Sequence, residues 1–515
     1  MVQLQRRLSL FSLVMAVVTS TIGSGWLFAP YLTAQLAGPA SLFSWLEGGA
    51  MAFLIALVFA ELGALVSSSG ALAQIPLLTH GRTSGFIGGW AAWLGYVALP
   101  AIEVLATVQY LGSSRPWLTR GGGSAGLSNW GIGLASLLLL LFGWINLAGV
   151  AALARWIDGL TVWKLLVPLG VSLVLILGSA HGGNLQVGGY QARGVLDALS
   201  TGGILFSLLG FRTAMDLAGE AKNPQRDVPL AMGIGLAISL LIYLLLQLAF
   251  LLAVPPPLLV QGWGRLQLTA HGGPLVAVAL GLGLSGLATL LITDAVVSPS
   301  ATAMAYMGTA ARVNWMLARC RLLPAPFSHI NRAGVPSVAL AATVLIGLVL
   351  LQGGPSWAKA VGFVTAALVI SLAMGPISLE ALRRQAPTVP RPYRLPAANW
   401  LCPLAFVLAT WAIFWCGWGS LQLAVPLILL PSLGYLLVCG GGGVEFRAGA
   451  WWFLYLGGIT FASFLFGPGR PYELDQGSQL FLLSVFALLV FPLAVNSHLP
   501  QLSPHALVEL GDQQP

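Results

Sequence analysis

Apolar runs of about twenty residues follow one another along this chain, separated by short polar segments rich in Gly, Pro and Arg. Fourteen such runs can be marked: 9–36, 41–66, 84–112, 130–150, 157–178, 196–219, 229–254, 274–299, 336–353, 357–380, 399–417, 420–439, 449–467 and 478–496. Each is close to the roughly 20 residues that an α-helix needs to cross the hydrocarbon core of a bilayer. The pattern therefore predicts an all-α polytopic membrane protein. The glycines from Gly440 to Gly443 set the last two runs apart, so the expected architecture is twelve helices plus two.

Composition agrees. The 515 residues are 57% hydrophobic and 7% charged, with a mean hydropathy of +0.88, whereas soluble domains carry about a quarter charged residues. Arg6 and Arg7 before the first run could imitate a signal peptide, but no convincing A-x-A site closes the run, and it is read as a retained first helix.

The net charge of +8 changes the picture only by where it sits. With the N-terminus in the cytoplasm, fifteen basic residues fall on that side: Arg6, Arg7, Arg82, Arg155, Lys222, Arg226, Arg312, Arg319, Arg321, Arg332, Arg383, Arg384, Arg391, Arg394 and Arg447. Five fall opposite: Arg115, Arg120, Arg193, Arg265 and Arg470. That excess predicts an N-in protein, and an even helix count returns the C-terminus to the cytoplasm. The clusters at 312–332 and 383–394 read as topology signals and interfacial anchors, and no basic domain for nucleic acid is present. Cys320, Cys402, Cys416 and Cys439 have no metal-ligand or redox spacing. Nucleotide loops, zinc-ligand spacings and nucleophile motifs are also missing, which argues against an enzyme.

Two runs are interrupted. In the first, Ile22-Gly23-Ser24-Gly25 breaks an otherwise apolar span before Trp26 and Pro30. In the sixth, Phe206-Ser207-Leu208-Leu209-Gly210-Phe211-Arg212 runs into Asp216, Gly219 and Glu220. Glycine permits unwinding and close approach of a ligand to the backbone. Backbone groups freed inside a bilayer must then be met by protein, water or ligand. The half-helix after Gly23 offers N–H groups and a positive dipole end to a carboxylate, and unwound carbonyls can receive an ammonium. Corresponding breaks five helices apart point to two five-helix inverted repeats around a zwitterion site.

The residues also carry a family resemblance. Ile22-Gly23-Ser24-Gly25-Trp26-Leu27-Phe28-Ala29-Pro30 resembles the first-helix motif of the amino acid–polyamine–organocation superfamily. Gly210-Phe211, followed by Gly219 through Pro229, looks like its sixth-helix signature. A third match runs from Ala311-Arg312-Val313 to Leu323-Pro324 and on through Asn331 to Pro336. The resemblance covers about the first 400 residues and implies a five-plus-five inverted-repeat transporter with discontinuous helices 1 and 6, alternating access and a plasma (inner) membrane location. Gly89-Trp90, Pro100, Ile102 to Thr107 and Gly210-Phe211-Arg212 look most like its aspartate–proton symporter branch. The expected organisation is a transport core over 1–395, helices 11–12 over 396–440, helices 13–14 over 441–497 and a flexible tail over 498–515.

Substrate contacts are expected from Ile22, Gly23, Ser24, Gly25, Phe206, Ser207, Leu209, Gly210 and Arg212, with Phe206 as an aromatic lid and Phe211 or Trp26 as alternatives. Ionisable groups deep in membrane helices are functional candidates. Lys164 resembles the fifth-helix lysine of proton-dependent relatives, where the ammonium takes the place of a sodium ion; the alternative is snorkelling to the interface. Arg212 could pair bidentately with a substrate side-chain carboxylate, or with Glu103, Glu61 or Asp216 as a gate. Glu103 could carry a proton or balance Arg212. Glu47 and Glu61, fourteen residues apart, should face one protein interior, with Glu61 a structural or gating acid. Asp294, at the cytoplasmic end of helix eight, could approach Lys164. Hydroxyls on that helix keep sodium coupling open.

The function expected is proton-coupled uptake of aspartate or glutamate, with the proton as coupling ion and no cofactor. Exchange, carriage of neutral or cationic amino acids, and a non-transporting receptor remain alternatives. Partners are the amino acid and the bilayer, with a homo-oligomer left open.

Overall fold

The computed structural model describes residues 8–66, 70–112, 114–120, 126–148, 150–188, 192–268, 273–352, 355–439 and 443–500. Arg6, Arg7, three of the glycines at 440–443 and most of the tail expected at 498–515 lie outside them. All fourteen apolar runs are largely helical. That is what lipid requires, since a helix satisfies its backbone within one segment. Among the described residues the only strand-like pairings are two isolated bridges, Leu8 with Ala221 and Thr119 with Leu127.

In chain order the helices are α1 Leu10–Thr21, α2 Gly25–Ala37, α3 Ser41–Leu65, α4 Ala71–Leu111, α5 Asn129–Leu147, α6 Val150–Ser179 and α7 Ala192–Ser200. Then follow α8 Ile204–Leu208, α9 Thr213–Asp216, α10 Pro224–Ala253, α11 Pro274–Gly281, α12 Ser285–Arg319 and α13 Ser337–Leu350. The last are α14 Trp357–Gln385, α15 Ala398–Trp415, α16 Gly417–Cys439, α17 Gly443–Gly449, α18 Trp451–Phe466 and α19 Gln476–Asn496. Among the described residues eleven helical stretches are long and apolar enough to span a membrane, and twelve if the bent pair Arg193–Ser200 and Ile204–Asp216 (53°) is one span. The protein is a multi-pass membrane protein.

The helix α4 lies at the centre, buried throughout its most apolar stretch, with α12 and α14 against it. It starts earlier than the run at 84–112 suggests. Gly81 (φ 76°) joins a short helix, Ala71 to His80, to the long one; that first piece is too short to span and so reads as loop. The α12 helix also differs from expectation. The run at 274–299 splits at Gly283 (φ 75°), and α12 continues twenty residues beyond 299, to Arg319. Arg312 and Arg319 are therefore on a helix.

Two polar joints hold this frame. Glu61, in the last turn of α3, accepts from Arg383 Nη2 (2.6 Å) and Nε (3.1 Å) and from Leu395 N–H (2.7 Å), with Arg391 Nε at 3.4 Å. The end of α19 docks on the α4 break. His80 Nε2 donates to the Ala494 carbonyl (2.9 Å), Leu499 N–H to the Thr79 carbonyl (2.9 Å), and Gln385 Nε2 to the carbonyls of Thr79 (3.1 Å) and Leu499 (2.7 Å). Arg383 and Arg391 are thus ion-pair partners as well as part of the basic cluster at 383–394.

Candidate functional site

Between α1 and α2 the chain is non-helical for three residues, Ile22, Gly23 and Ser24. A helix that ends inside a bundle exposes carbonyls that must find donors. Here they do, one by one. The Val18 carbonyl takes Ile22 N–H (2.8 Å), and Thr19 takes Lys164 Nζ (2.8 Å) and Thr302 Oγ1 (3.0 Å). Ser20 takes the Tyr306 hydroxyl (2.8 Å), and Thr21 takes the Tyr243 hydroxyl (2.9 Å). Lys164 also donates to Thr302 Oγ1. The donors come from α6, α10 and α12, so three helices converge on one break.

On the other side of the break stands Glu103 of α4. Its Oε2 accepts Ser24 N–H (2.8 Å) and its Oε1 the Ser24 hydroxyl (3.1 Å). Ser24 Oγ in turn accepts from Trp357 Nε1 of α14 (2.8 Å). The carboxylate sits so close that a Cβ on Gly23 would lie 2.7 Å from Glu103 Oε1. Trp357 stacks on Phe28 (4.9 Å between centroids) and meets Phe206 edge-on (5.8 Å), forming an aromatic wall beside the break.

The second break lies against the first. A Cβ on Gly210 would come within 2.5 Å of the Thr21 backbone nitrogen, so this contact needs glycine. Residues Leu209 to Arg212 form a 3-10 turn between α8 and α9. Ser207 Oγ bonds back to the Gly203 carbonyl (2.8 Å). The Arg212 side chain is buried, with Nε on the Leu209 carbonyl (3.2 Å) and Cζ 4.7 Å from the centre of the Tyr96 ring. Among the described residues its two terminal nitrogens have no hydrogen-bond partner. The Tyr96 hydroxyl donates to Asp216 Oδ2, while Asp216 Oδ1 has no hydrogen-bond partner among the described residues.

The sequence candidates divide accordingly. Ile22, Gly23, Ser24, Gly25, Phe206, Ser207, Leu209, Gly210, Arg212, Glu103 and Lys164 are brought together at the paired breaks. Lys164 is fully buried, which rules out snorkelling. Arg212 does not pair with Glu103, Glu61 or Asp216: among the described residues no carboxylate lies within 4.0 Å of its guanidinium, and Tyr96 contacts both it and Asp216. Glu61 is engaged at the other joint with Arg383 and Arg391. Glu47 is exposed while Glu61 is fully buried, so the shared helical face does not bring shared cover; α14 and Leu395 close over only the latter.

Asp294 is not at the end of its helix, because α12 runs on to Arg319. It lies two turns from Thr302 towards α11, where it accepts Trp163 Nε1 (2.6 Å) and Ser298 Oγ (3.0 Å). Arg312, expected as a topology signal, pairs with Glu220 at 3.2 Å. Sequence reasoning missed Tyr96, Tyr243, Tyr306 and Trp357. Each is an aromatic in or at an apolar helix, with no local signal to distinguish a hydrogen-bonding role from packing.

A family model described as "Amino acid permease" matches residues 8–440. The chain belongs to the amino acid permease family. Among its relatives, this permease is 34% identical to the glutamate/serine transporter AimA of Bacillus subtilis, over 96% of its own length and 94% of the relative's. It is 33% identical to the aspartate-proton symporter of Bacillus subtilis, over 96% and 97%. The lysine-specific permease LysP of Lactococcus lactis is 25% identical over 67% and 69%. The permease is thus an amino acid transporter of this family, embedded in a membrane and acting on a small molecule, and these relatives are transporters rather than enzymes.

Proposed function

We propose that this permease drives proton-coupled uptake of acidic amino acids by alternating access. The observation that carries the reading is the convergence at the two facing breaks. There Glu103 holds Ser24 after the first break, Lys164 caps the Thr19 carbonyl before it, and Arg212 keeps two buried guanidinium nitrogens without a partner among the described residues. A buried arginine of this kind suits a planar carboxylate. Two relatives along the full chain support it by name, one a glutamate/serine transporter and one an aspartate-proton symporter.

In this reading the α-amino and α-carboxyl groups of the substrate sit at the chain breaks around Gly23–Gly25 and Phe206–Gly210. The side-chain carboxylate reaches Arg212, and Phe206 with Trp357 covers the site. Lys164 exchanges the coupling proton, with Glu103 and Asp294 as further carriers. Glu61 acts as a structural clamp. The first ten spans over 1–395 form two inverted repeats, followed by helices 11–12 over 396–440 and 13–14 over 441–497. Counting α1 with α2 as one traverse, and α13 as another, brings the spans to fourteen. The excess of basic residues supports both termini in the cytoplasm, and the transporter relatives support a plasma membrane location. A second reading, transport of a neutral substrate such as serine, is favoured by the glutamate/serine relative.

Uptake of radiolabelled aspartate, glutamate, serine and lysine into proteoliposomes, under imposed proton or sodium gradients, tests this. Aspartate or glutamate accumulation driven by an inward proton gradient is expected. Accumulation that follows sodium instead, uptake that needs internal amino acid, or binding without transport would each overturn it. Arg212→Gln should raise the KM for acidic substrates and leave serine little changed; equal loss for both rejects the assignment of Arg212.

A further inference from the structure

Arg212 and Asp216 are buried, opposite in charge and four residues apart, Arg212 at the N-cap of α9 and Asp216 its last residue. Side chains at that spacing on a helix are neighbours, and a buried arginine beside a carboxylate ordinarily closes into a bidentate pair. Here they do not close. Both are held by Tyr96 of α4, whose ring face receives the guanidinium at 4.7 Å and whose hydroxyl binds Asp216 Oδ2.

We infer that Tyr96 is a positioning residue that keeps Arg212 open to an anionic substrate by holding Asp216 away from it, a role that rests on reading Arg212 as the reader of the substrate's side-chain carboxylate. The ring supports the guanidinium by cation–π contact, which leaves the edge with Nη1 and Nη2 free. The hydroxyl supplies the carboxylate with a donor in place of the arginine. Two neighbouring groups, Arg312 and Tyr306, are engaged elsewhere. Arg312 of α12 is ion-paired with Glu220, Nε to Oε1 at 3.2 Å. Tyr306, whose ring stands 5.9 Å from that of Tyr96, spends its hydroxyl on the Ser20 carbonyl. Tyr96 is therefore the group that decides whether Asp216 or the substrate occupies Arg212.

The test separates hydroxyl from ring. Tyr96→Phe keeps the cation–π face and removes the donor, so Asp216 turns onto Arg212 and an acidic substrate must displace it. Weakening one charge-assisted hydrogen bond to the substrate in this way corresponds to a rise of about tenfold in KM. In proteoliposomes of the full-length protein, the aspartate-to-serine KM ratio should rise about tenfold in Tyr96→Phe, with maximal rates retained. Tyr96→Phe/Asp216→Asn should bring it back, because the competitor is gone.

An unchanged ratio in Tyr96→Phe overturns the inference, and so does a double variant no better than the single one. Thermal melting in detergent identifies a variant that fails to fold; the ratio is then read from Tyr96→Trp, which also lacks the hydroxyl. Arg212→Gln is measured alongside. If it leaves the ratio unchanged, the reading of Arg212 itself fails. If it changes the ratio while Tyr96→Phe does not, only the role of Tyr96 is lost.

Discussion

Replacing Lys164 by Met tests whether the buried ammonium is part of the coupling machinery or only a cap on α1. The ammonium donates to the Thr19 carbonyl at 2.8 Å and to Thr302 Oγ1. The carbonyl has a second donor, Thr302 Oγ1 at 3.0 Å, so removing the lysine orphans neither partner. What is lost is about 1.5–3 kcal/mol of charge-assisted hydrogen bonding. What is regained is the desolvation of an ammonium, several kcal/mol. The net change should be within about 2 kcal/mol of zero, in either direction. Met also fills the volume of the lysine stem, whereas Lys164→Ala opens a cavity worth about 2–5 kcal/mol. Lys164→Met should therefore express and melt like the parent while losing its response to protons. The assay is aspartate uptake into proteoliposomes with and without an inward proton gradient. The two rates should differ in the parent and coincide in Lys164→Met, with exchange against internal aspartate preserved. Gradient-driven accumulation of parental size in Lys164→Met would refute the coupling role. A fall in stability well beyond about 2 kcal/mol would refute the claim that Thr302 alone suffices for the carbonyl.

Two further substitutions probe the scaffold. Gly210→Ala would set a Cβ 2.5 Å from the Thr21 nitrogen, forcing the two breaks apart; a cost of about 1–3 kcal/mol and a severe loss of uptake are expected. Gly233→Ala, where the added Cβ would meet no described atom within 4 Å, serves as the control, and parental uptake in Gly210→Ala would contradict the close approach. Glu61→Gln removes the negative charge shared by Arg383 and Arg391 and should lower unfolding stability in detergent by about 3 kcal/mol; melting at the parental temperature would show the clamp to be dispensable.

Much of the site was legible because its signals are local. Gly23, Gly25 and Gly210 stand out in apolar runs, and a lysine or arginine inside such a run demands explanation. What could not be read depends on helices far apart in sequence. Tyr243 finds Thr21 across 222 residues, and Trp357 finds Ser24 across 333. Nothing near either aromatic announces its partner. Helix limits failed for a related reason. The apolar pattern marks where lipid begins and ends, but α12 continues past that limit under protein cover, taking Arg312 with it. The misplacement of Asp294 followed from the same error, since its depth was judged from the wrong helix end.

The way α1 ends has a consequence for how readily it can be detached. An uninterrupted helix through residue 22 would have its terminal acceptors tied to its own backbone, and bending it there would rupture several such bonds together. Here the acceptors at Thr19, Ser20 and Thr21 are met by hydroxyls and an ammonium on other helices. Water can substitute for each, so admitting solvent exchanges these bonds one at a time, at a net difference of about 0.5–1.5 kcal/mol for each hydroxyl and about 1.5–3 kcal/mol for the ammonium. The junction is a row of separate latches, and hydration is the key that fits all of them.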